Sequence, residues 1–271
     1  MCRLYTLRSN QRRKVGCELI AAQNSLLRQS QGDATGEAHG DGWGLGHYQA
    51  GQPEVVVQPV AAASSESFRW EAALVLSTNI VAHVRKATVG RPEGANTHPF
   101  RYQRWLLAHN GTVRNFSSLR DRILAGMTPD FRNLARGSTD SEHVFHLILS
   151  RATADPGTPL LDVVRRTTLD LVTWSNQVDR SAELALNLIV TNGAETVVQR
   201  FGRTLWTIER HAVHPCQICN GAIHVEGVPR PDYRSVVFAS EPVTTDEVWT
   251  TVPDGTLARI GPDIEVQRAS L

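Results

Sequence analysis

Covalent staples are scarce in this 271-residue chain: four cysteines, Cys2, Cys17, Cys216 and Cys219, are too few to hold a fold that can bury a core without them. Charge of one sign is also missing, since 28 Lys and Arg face 27 Asp and Glu for a formal net charge of +1. No global basic field is therefore available to draw in nucleic acid or an anionic membrane, and neither is expected as a partner. No run approaches the roughly 18 apolar residues of a membrane span. The opening MCRLYTLRSNQRRKVG has no apolar stretch of the secretory-signal kind, so a cytoplasmic setting is expected. Gly-x-Ser-x-Gly, His-Glu-x-x-His and Walker A patterns are absent, which removes the commonest rival hydrolases. The six glycines from Gly32 to Gly46 fail the dinucleotide fingerprint, because frames opening at Gly40 and Gly42 close on Leu45 and His47. The six tryptophans lack basic interleaving, unlike a stacking platform for single strands.

What remains is globular composition, 41% hydrophobic and 20% charged. An extended segment at Arg3–Leu7 precedes a one-sided helical pattern over Gly16–Ser30 (Leu19, Ile20, Leu26, Leu27) and a glycine-rich segment, Gln31–Gly46, read as a loop leading into a strand. Strands are expected at Glu54–Val60, Asn79–Lys86 and Arg104–His109. The middle one alternates Ile80, Ala82 and Val84 against Val81, His83 and Arg85. Helices are expected at Phe116–Ala125, Thr139–Arg151 and Leu160–Val172, the second capped by Ser138 or Thr139 and opened by Asp140 and Glu142. A strand-rich tail follows: Glu183–Thr191, an Asn192-Gly193 turn, Thr196–Phe201, Thr204–Ile208, Ser235–Ala239, Leu257–Ile260 and Ile264–Gln267. Strands in runs with helices grouped between them favour a layered α+β arrangement over a doubly wound sheet. One domain over residues 2–271 is expected, with Arg151–Pro159 the only candidate seam.

Cys2 stands out by position. Removal of Met1 would place a thiol and an α-amine on one residue, the amine titrating near 7.7 to 8.0 and the thiol near 8.5, so nucleophile and base come together. The competing reading is a small residue in an edge strand. Polar residues then gather at element ends: Arg85 closes a strand, Asn96-Thr97-His98-Pro99 makes a turn, His109 runs into Asn110-Gly111, and Ser138-Thr139-Asp140 opens a helix. A rigid scaffold can present side chains at such positions without burying them unpaired.

Met1-Cys2, His39-Gly-Asp-Gly-Trp-Gly44, Ala82-His-Val-Arg85, Asn96-Thr-His-Pro99, His109-Asn-Gly111 and Ser138-Thr-Asp140, in this order, resemble the class II glutamine amidotransferases, which are N-terminal-nucleophile hydrolases. The likeness covers about residues 2 to 150, and Ser235–Pro242 is similar to the tail of the stand-alone members. The resemblance implies a four-layer αββα sandwich of two antiparallel sheets. It implies Cys2 as nucleophile, Asn110 and Gly111 as the oxyanion hole, and Arg85, His98 and Asp140 at the substrate, with no cofactor. It further implies attack on the γ-amide of glutamine or a γ-glutamyl compound through a γ-glutamyl thioester. A free-standing hydrolase of the ergothioneine-pathway type, and a glutaminase subunit passing ammonia to a separate synthetase, both fit; a non-catalytic scaffold that keeps the fold is the rival. Helix capping stays open for Asp140, and support of the turn before Pro99 for His98. Lys86 and Val89 stand where better-known members carry tryptophan and histidine.

His211, His214, Cys216, Cys219 and His224 offer donors that zinc accepts, but a second Cys-x-x-Cys is missing, so a loop with free thiols is the expectation and no metal is assigned. Cys17 is read as a small core residue.

Overall fold

The computed structural model describes residues 2–135, 137–181, 184–213, 215–219 and 224–271. Met1, His214 and Glu183, which enter the expectations above, lie outside them. Two antiparallel sheets carry the architecture. The first holds β1 (Arg3–Lys14), β2 (Gly42–Gln49), β3 (Gln52–Gln58), β4 (Leu76–Arg85), β9 (Trp206–Arg210), β10 (Ser235–Ala239) and β11 (Thr250–Thr251), in the order β11-β9-β10-β1-β4-β2-β3. The second holds β5 (Phe100–Tyr102), β6 (Trp105–Thr112), β7 (Ala185–Thr191), β8 (Thr196–Arg200), β12 (Thr256–Ile260) and β13 (Val266–Ser270), in the order β13-β12-β8-β7-β6-β5.

Three apolar clusters show why these strands stack as layers. Alternate side chains of a strand point to opposite faces, and β4 obeys this: Ile80, Ala82 and Val84 join Tyr5, Leu7, Trp43 and Phe68 under a helical layer. That layer consists of α1 (Leu26–Gln31), α2 (Glu66–Leu74) and the π-helical turn Cys17–Ala21. Val81 instead meets Leu4, Ala108, Ile189, Val198 and Phe238 between the sheets. The outer face of the second sheet buries Leu107, Leu186 and Val197 against α3 (Phe116–Ala125), α4 (Pro129–Leu134), α5 (Asp140–Ala154) and α6 (Leu160–Val178). The result is the expected αββα sandwich. Residues 155–159 turn the chain between α5 and α6, which share that outer cluster.

Several boundaries differ from the sequence reading. β1 runs on to Lys14, because its polar continuation finds partners: Arg8 donates to the Gly193 and Ala194 carbonyls, and Arg13 pairs with Glu18 at 3.1 Å. The helix expected over Gly16–Ser30 splits into the π-helical turn and α1, which Ser25 caps by accepting from the Arg28 N–H. Thr191 pairs with Thr196 across the expected Asn192-Gly193 turn, where Gly193 takes φ +87°.

Candidate active site

Parity along β1 decides which way Cys2 faces. Leu4 lies in the inter-sheet cluster and Tyr5 and Leu7 lie under the helices, so the even-numbered face, with Cys2 at its start, is turned toward the second sheet. β4 runs antiparallel beside it with Arg3 opposite Val84, and the same alternation turns Val81, His83 and Arg85 inward. The nucleophile candidate and the arginine candidate thus meet at one end of one strand pair.

The start of β1 is clasped. Arg3 is buried and its guanidinium joins Asp33 and Glu241, the latter at 2.9 Å, while Nη1 donates to the Cys2 carbonyl at 3.1 Å. Burial opposes the charge on Asp33, but hydrogen bonds from the Thr35 hydroxyl and the Glu37 and Thr35 N–H groups, with Arg3 beside it, hold its carboxyl well below the usual range. His39 sits 3.1 Å from the same carboxylate, and burial pushes it down to about 4, so it is neutral at physiological pH.

Cys2, Arg85, His98, Gly111 and Asp140 line a single cavity of about 20 Å³, together with Lys86, Val89, His109, Thr139 and Ser141. The Cys2 thiol donates to the Lys86 carbonyl at 3.4 Å. Burial pushes the thiol above its ordinary pKa; the Arg85 charge lowers it and Asp140 raises it. Arg85 is 3% exposed, and its guanidinium donates to the carbonyls of Val89, Gly90 and Arg91 at 2.9 to 3.3 Å. Among the described residues no carboxylate pairs with it. Asp140, the first residue of α5, accepts from the Val113 N–H at 2.6 Å and the Ser141 N–H at 2.9 Å, and no cation among the described residues neutralises it. The helix cap falls to Thr139, which accepts from the Glu142 N–H, so capping does not account for Asp140. A buried cation and a buried anion, each held by dipoles and lacking a counter-ion, therefore face one space.

His98 is buried with neither ring nitrogen hydrogen-bonded, its ring 4.5 Å from those of His83 and Phe100. Burial, reinforced by His83, His109 and Arg85, holds it well below the ordinary histidine range. Its backbone passes so close to β2 that a Cβ on Gly44 would lie 2.1 Å from the His98 carbonyl oxygen, which explains a glycine there.

Asn110 does not line the cavity. It sits one residue before Gly111 on the inter-sheet face of β6, fully buried, with Nδ2 3.5 Å from the Ser240 hydroxyl and Oδ1 without a hydrogen-bond partner. Ser240 also accepts from the Leu4 N–H at 2.9 Å, so Asn110 borders the start of β1. Gly111 abuts β7: a Cβ there would lie 1.9 Å from the Ala185 carbonyl oxygen. Lys86 is drawn away to Glu37 at 2.9 Å. The sequence reading gave no part to Arg3, Asp33, Ser240, Glu241 or Ser141, whose hydroxyl lies 2.8 Å from His109 Nδ1. Their partners are remote along the chain, and no local pattern marks them.

Two antiparallel sheets packed between helical layers thus place Cys2 at the head of the central strand of the first sheet, beside a guanidinium and a carboxylate that no described residue pairs. The family model for class II glutamine amidotransferases matches residues 1–264. The chain is 27% identical to a probable glutamine amidotransferase of Saccharomyces cerevisiae, over 96% of this chain and 82% of that one. It is 29% identical to a gamma-glutamyl-hercynylcysteine sulfoxide hydrolase of Mycobacterium tuberculosis, over 83% of this chain and 77% of that one. A solved glutamine aminotransferase class-II domain protein from Silicibacter pomeroyi shares the fold with a TM-score of 0.65 at 19% identity, covering 99% of both chains. The chain belongs to the class II glutamine amidotransferases and is an amidohydrolase. No helix among the described residues is long and apolar enough to cross a membrane.

Proposed function

We propose that the chain cleaves the γ-amide of glutamine or of a γ-glutamyl compound, with Cys2 as nucleophile and a γ-glutamyl thioester as intermediate. The observation that carries this reading is the unpaired Arg85 and Asp140 beside the Cys2 thiol, a charge pattern complementary to the zwitterionic head of an α-amino acid. The planar guanidinium would grip the α-carboxylate, exchanging neutral carbonyl acceptors for a charged one. Asp140 would take the α-ammonium. The cavity has room for about one water, so glutamine entry requires it to widen.

Once Met1 is removed, the α-amine of Cys2 accepts the thiol proton as sulfur attacks the amide carbon. The oxyanion would be met by the Asn110 side-chain N–H and the Gly111 backbone N–H, and each such donor is typically worth about 2.7 to 4 kcal/mol in the transition state. The ammonium so formed on Cys2 returns its proton to the departing nitrogen, ammonia or amine leaves, and water opens the thioester to release the γ-carboxylate and the Cys2 thiol. A neutral His98 packed against Phe100 fits an orienting wall better than a proton carrier.

Incubation of the processed enzyme with glutamine and with a γ-glutamyl secondary amide tests the reading. Cleavage of the second marks a free hydrolase; ammonia from glutamine alone marks a subunit that feeds a synthetase. A glutamine-like diazo-ketone should label Cys2 alone. Absence of labelling and of turnover in chains shown by mass to lack Met1, or equal labelling of Cys2→Ala, overturns it in favour of a scaffold.

A further inference from the structure

A second constellation lies apart from the cavity at Cys2, and it corrects the reading of Cys17 as a core residue. Cys17 is half-buried and opens the π-helical turn that follows β1. Its sulfur meets those of Cys216 and Cys219 and an imidazole nitrogen of His224, four donor atoms that all lie within 4.8 Å of one another. Cys219 Sγ and His224 Nε2 are 3.8 Å apart. Donors bound tetrahedrally to zinc, at about 2.3 Å for sulfur and 2.0 to 2.1 Å for nitrogen, stand about 3.6 to 3.8 Å from each other. Drawing the atoms together by at most about 1 Å from the 4.8 Å limit, within reach of side-chain rotation, would bring the set to that spacing.

We propose that Cys17, Cys216, Cys219 and His224 form a structural zinc site that fastens the 211–234 connector to the foot of β1. Three thiolates and an imidazole favour zinc over oxygen-seeking cations such as magnesium and calcium. With all four positions filled by the protein, the site is closed and holds no water for catalysis. The third thiol that the Cys216-x-x-Cys219 pattern lacks arrives from about two hundred residues away.

Placement gives the metal a mechanical purpose. The connector joins β9 to β10, its described residues form no named helix or strand, and long connections of that kind are uncommon unless something holds them. Its described backbone is tied to β1 by the Lys14 N–H on the His224 carbonyl at 2.7 Å, the Glu226 N–H on the Arg12 carbonyl at 2.8 Å and a single bridge between Arg13 and Val225. These bonds serve the stretch from His224 onward; what brings Cys216 and Cys219 to β1 is the meeting of their sulfurs with Cys17 and His224. A metal would complete the attachment, and zinc binding would add its free energy to folding.

The test is elemental analysis of the full chain, expressed with zinc and freed of loosely held ions by gel filtration, with cobalt substitution as a second reading. One zinc per chain is expected, and cobalt should give the intense thiolate charge-transfer and ligand-field bands of a tetrahedral centre. Cys219→Ser, at an exposed position, should weaken zinc by more than the roughly 10- to 100-fold that loss of an outer-shell partner costs. Cys17→Ser should do the same, while His211→Ala should keep the metal. Chelation should speed proteolysis within 211–234. Zinc far below one equivalent overturns the proposal, whether the thiols are free or joined as a disulfide; so does zinc that persists in Cys17→Ser, or cobalt spectra without thiolate bands.

Discussion

Replacing Asn110 with alanine separates the chemistry of the site from its architecture. The side chain is 1% exposed, its Nδ2 contact to Ser240 at 3.5 Å is at the limit of a hydrogen bond, and its Oδ1 has no partner. A buried unpaired acceptor costs the fold about 1 to 3 kcal/mol. Asn110→Ala removes that cost and opens a small void that works in the opposite direction. The two nearly cancel, and a residue of about 1 kcal/mol would move the thermal midpoint by no more than about 4 °C in a chain of this size. Loss of an oxyanion donor, by contrast, should raise the barrier by about 2.7 to 4 kcal/mol, lowering turnover roughly a hundred- to a thousand-fold. KM should barely move, because the donor acts on charge that develops only in the transition state. Ammonia release from glutamine, measured beside thermal unfolding of the same preparation, gives both quantities. Turnover reduced less than tenfold, or an activity loss that tracks loss of folded protein, would refute the reasoning.

Gly111→Ala should cost both, since its Cβ would meet the Ala185 carbonyl at 1.9 Å and β6 must shift from β7; overpacking of this kind typically costs about 1 to 3 kcal/mol, and an unchanged unfolding midpoint contradicts it. Arg85→Lys keeps the charge but loses the planar fork, so kcat/KM for glutamine should fall by the equivalent of about 1.5 to 3 kcal/mol for a charge-assisted contact; wild-type kinetics remove Arg85 from the substrate. Asp140→Asn should erase the preference for glutamine over the analogue lacking its α-ammonium, and a preference that survives assigns the ammonium elsewhere. Stability should fall with acid before the carboxylates titrate. Burial lowers His39 to about 4 and His83 to about 3, against about 6.5 unfolded. The neutral forms therefore stabilise the fold fully above pH 6.5, and this is lost as pH falls toward the folded values, by about 2 kcal/mol each at pH 5. Equal denaturant midpoints at pH 7 and pH 5 would contradict this.

Period-two alternation in β4 and the capped stripe of α5 were legible because apolar burial wrote them directly into the residue order. α2 was not: only Phe68 and Ala72 of it are buried, while Trp70 and Leu74 are more than 60% exposed, so no clean stripe exists. The continuation of β1 hid for the opposite reason, Arg8 and Arg13 being buried through carbonyls and an ion pair that residue type alone does not foretell. The resemblance selected the residues around Cys2, and five of the six line or share one cavity, but the unpaired state of Arg85 and Asp140 needed coordinates. Arg3, Asp33 and Glu241 form one buried group from three distant stretches, and Cys17 reaches the Cys216 and Cys219 sulfurs in the same way; no spacing rule could have joined them.

The two-faced character of β1 makes the enzyme's register unforgiving. Deleting a single residue between Arg3 and Thr6 would leave the downstream strand in place and rotate everything before the gap by half a turn. The sulfur would then point among the helices, and an arginine side chain would swing into the space between the sheets. A lesion three nucleotides long could thus abolish catalysis without touching any group that meets the substrate, and a scan of one-residue deletions along this strand would read out its handed alternation as function.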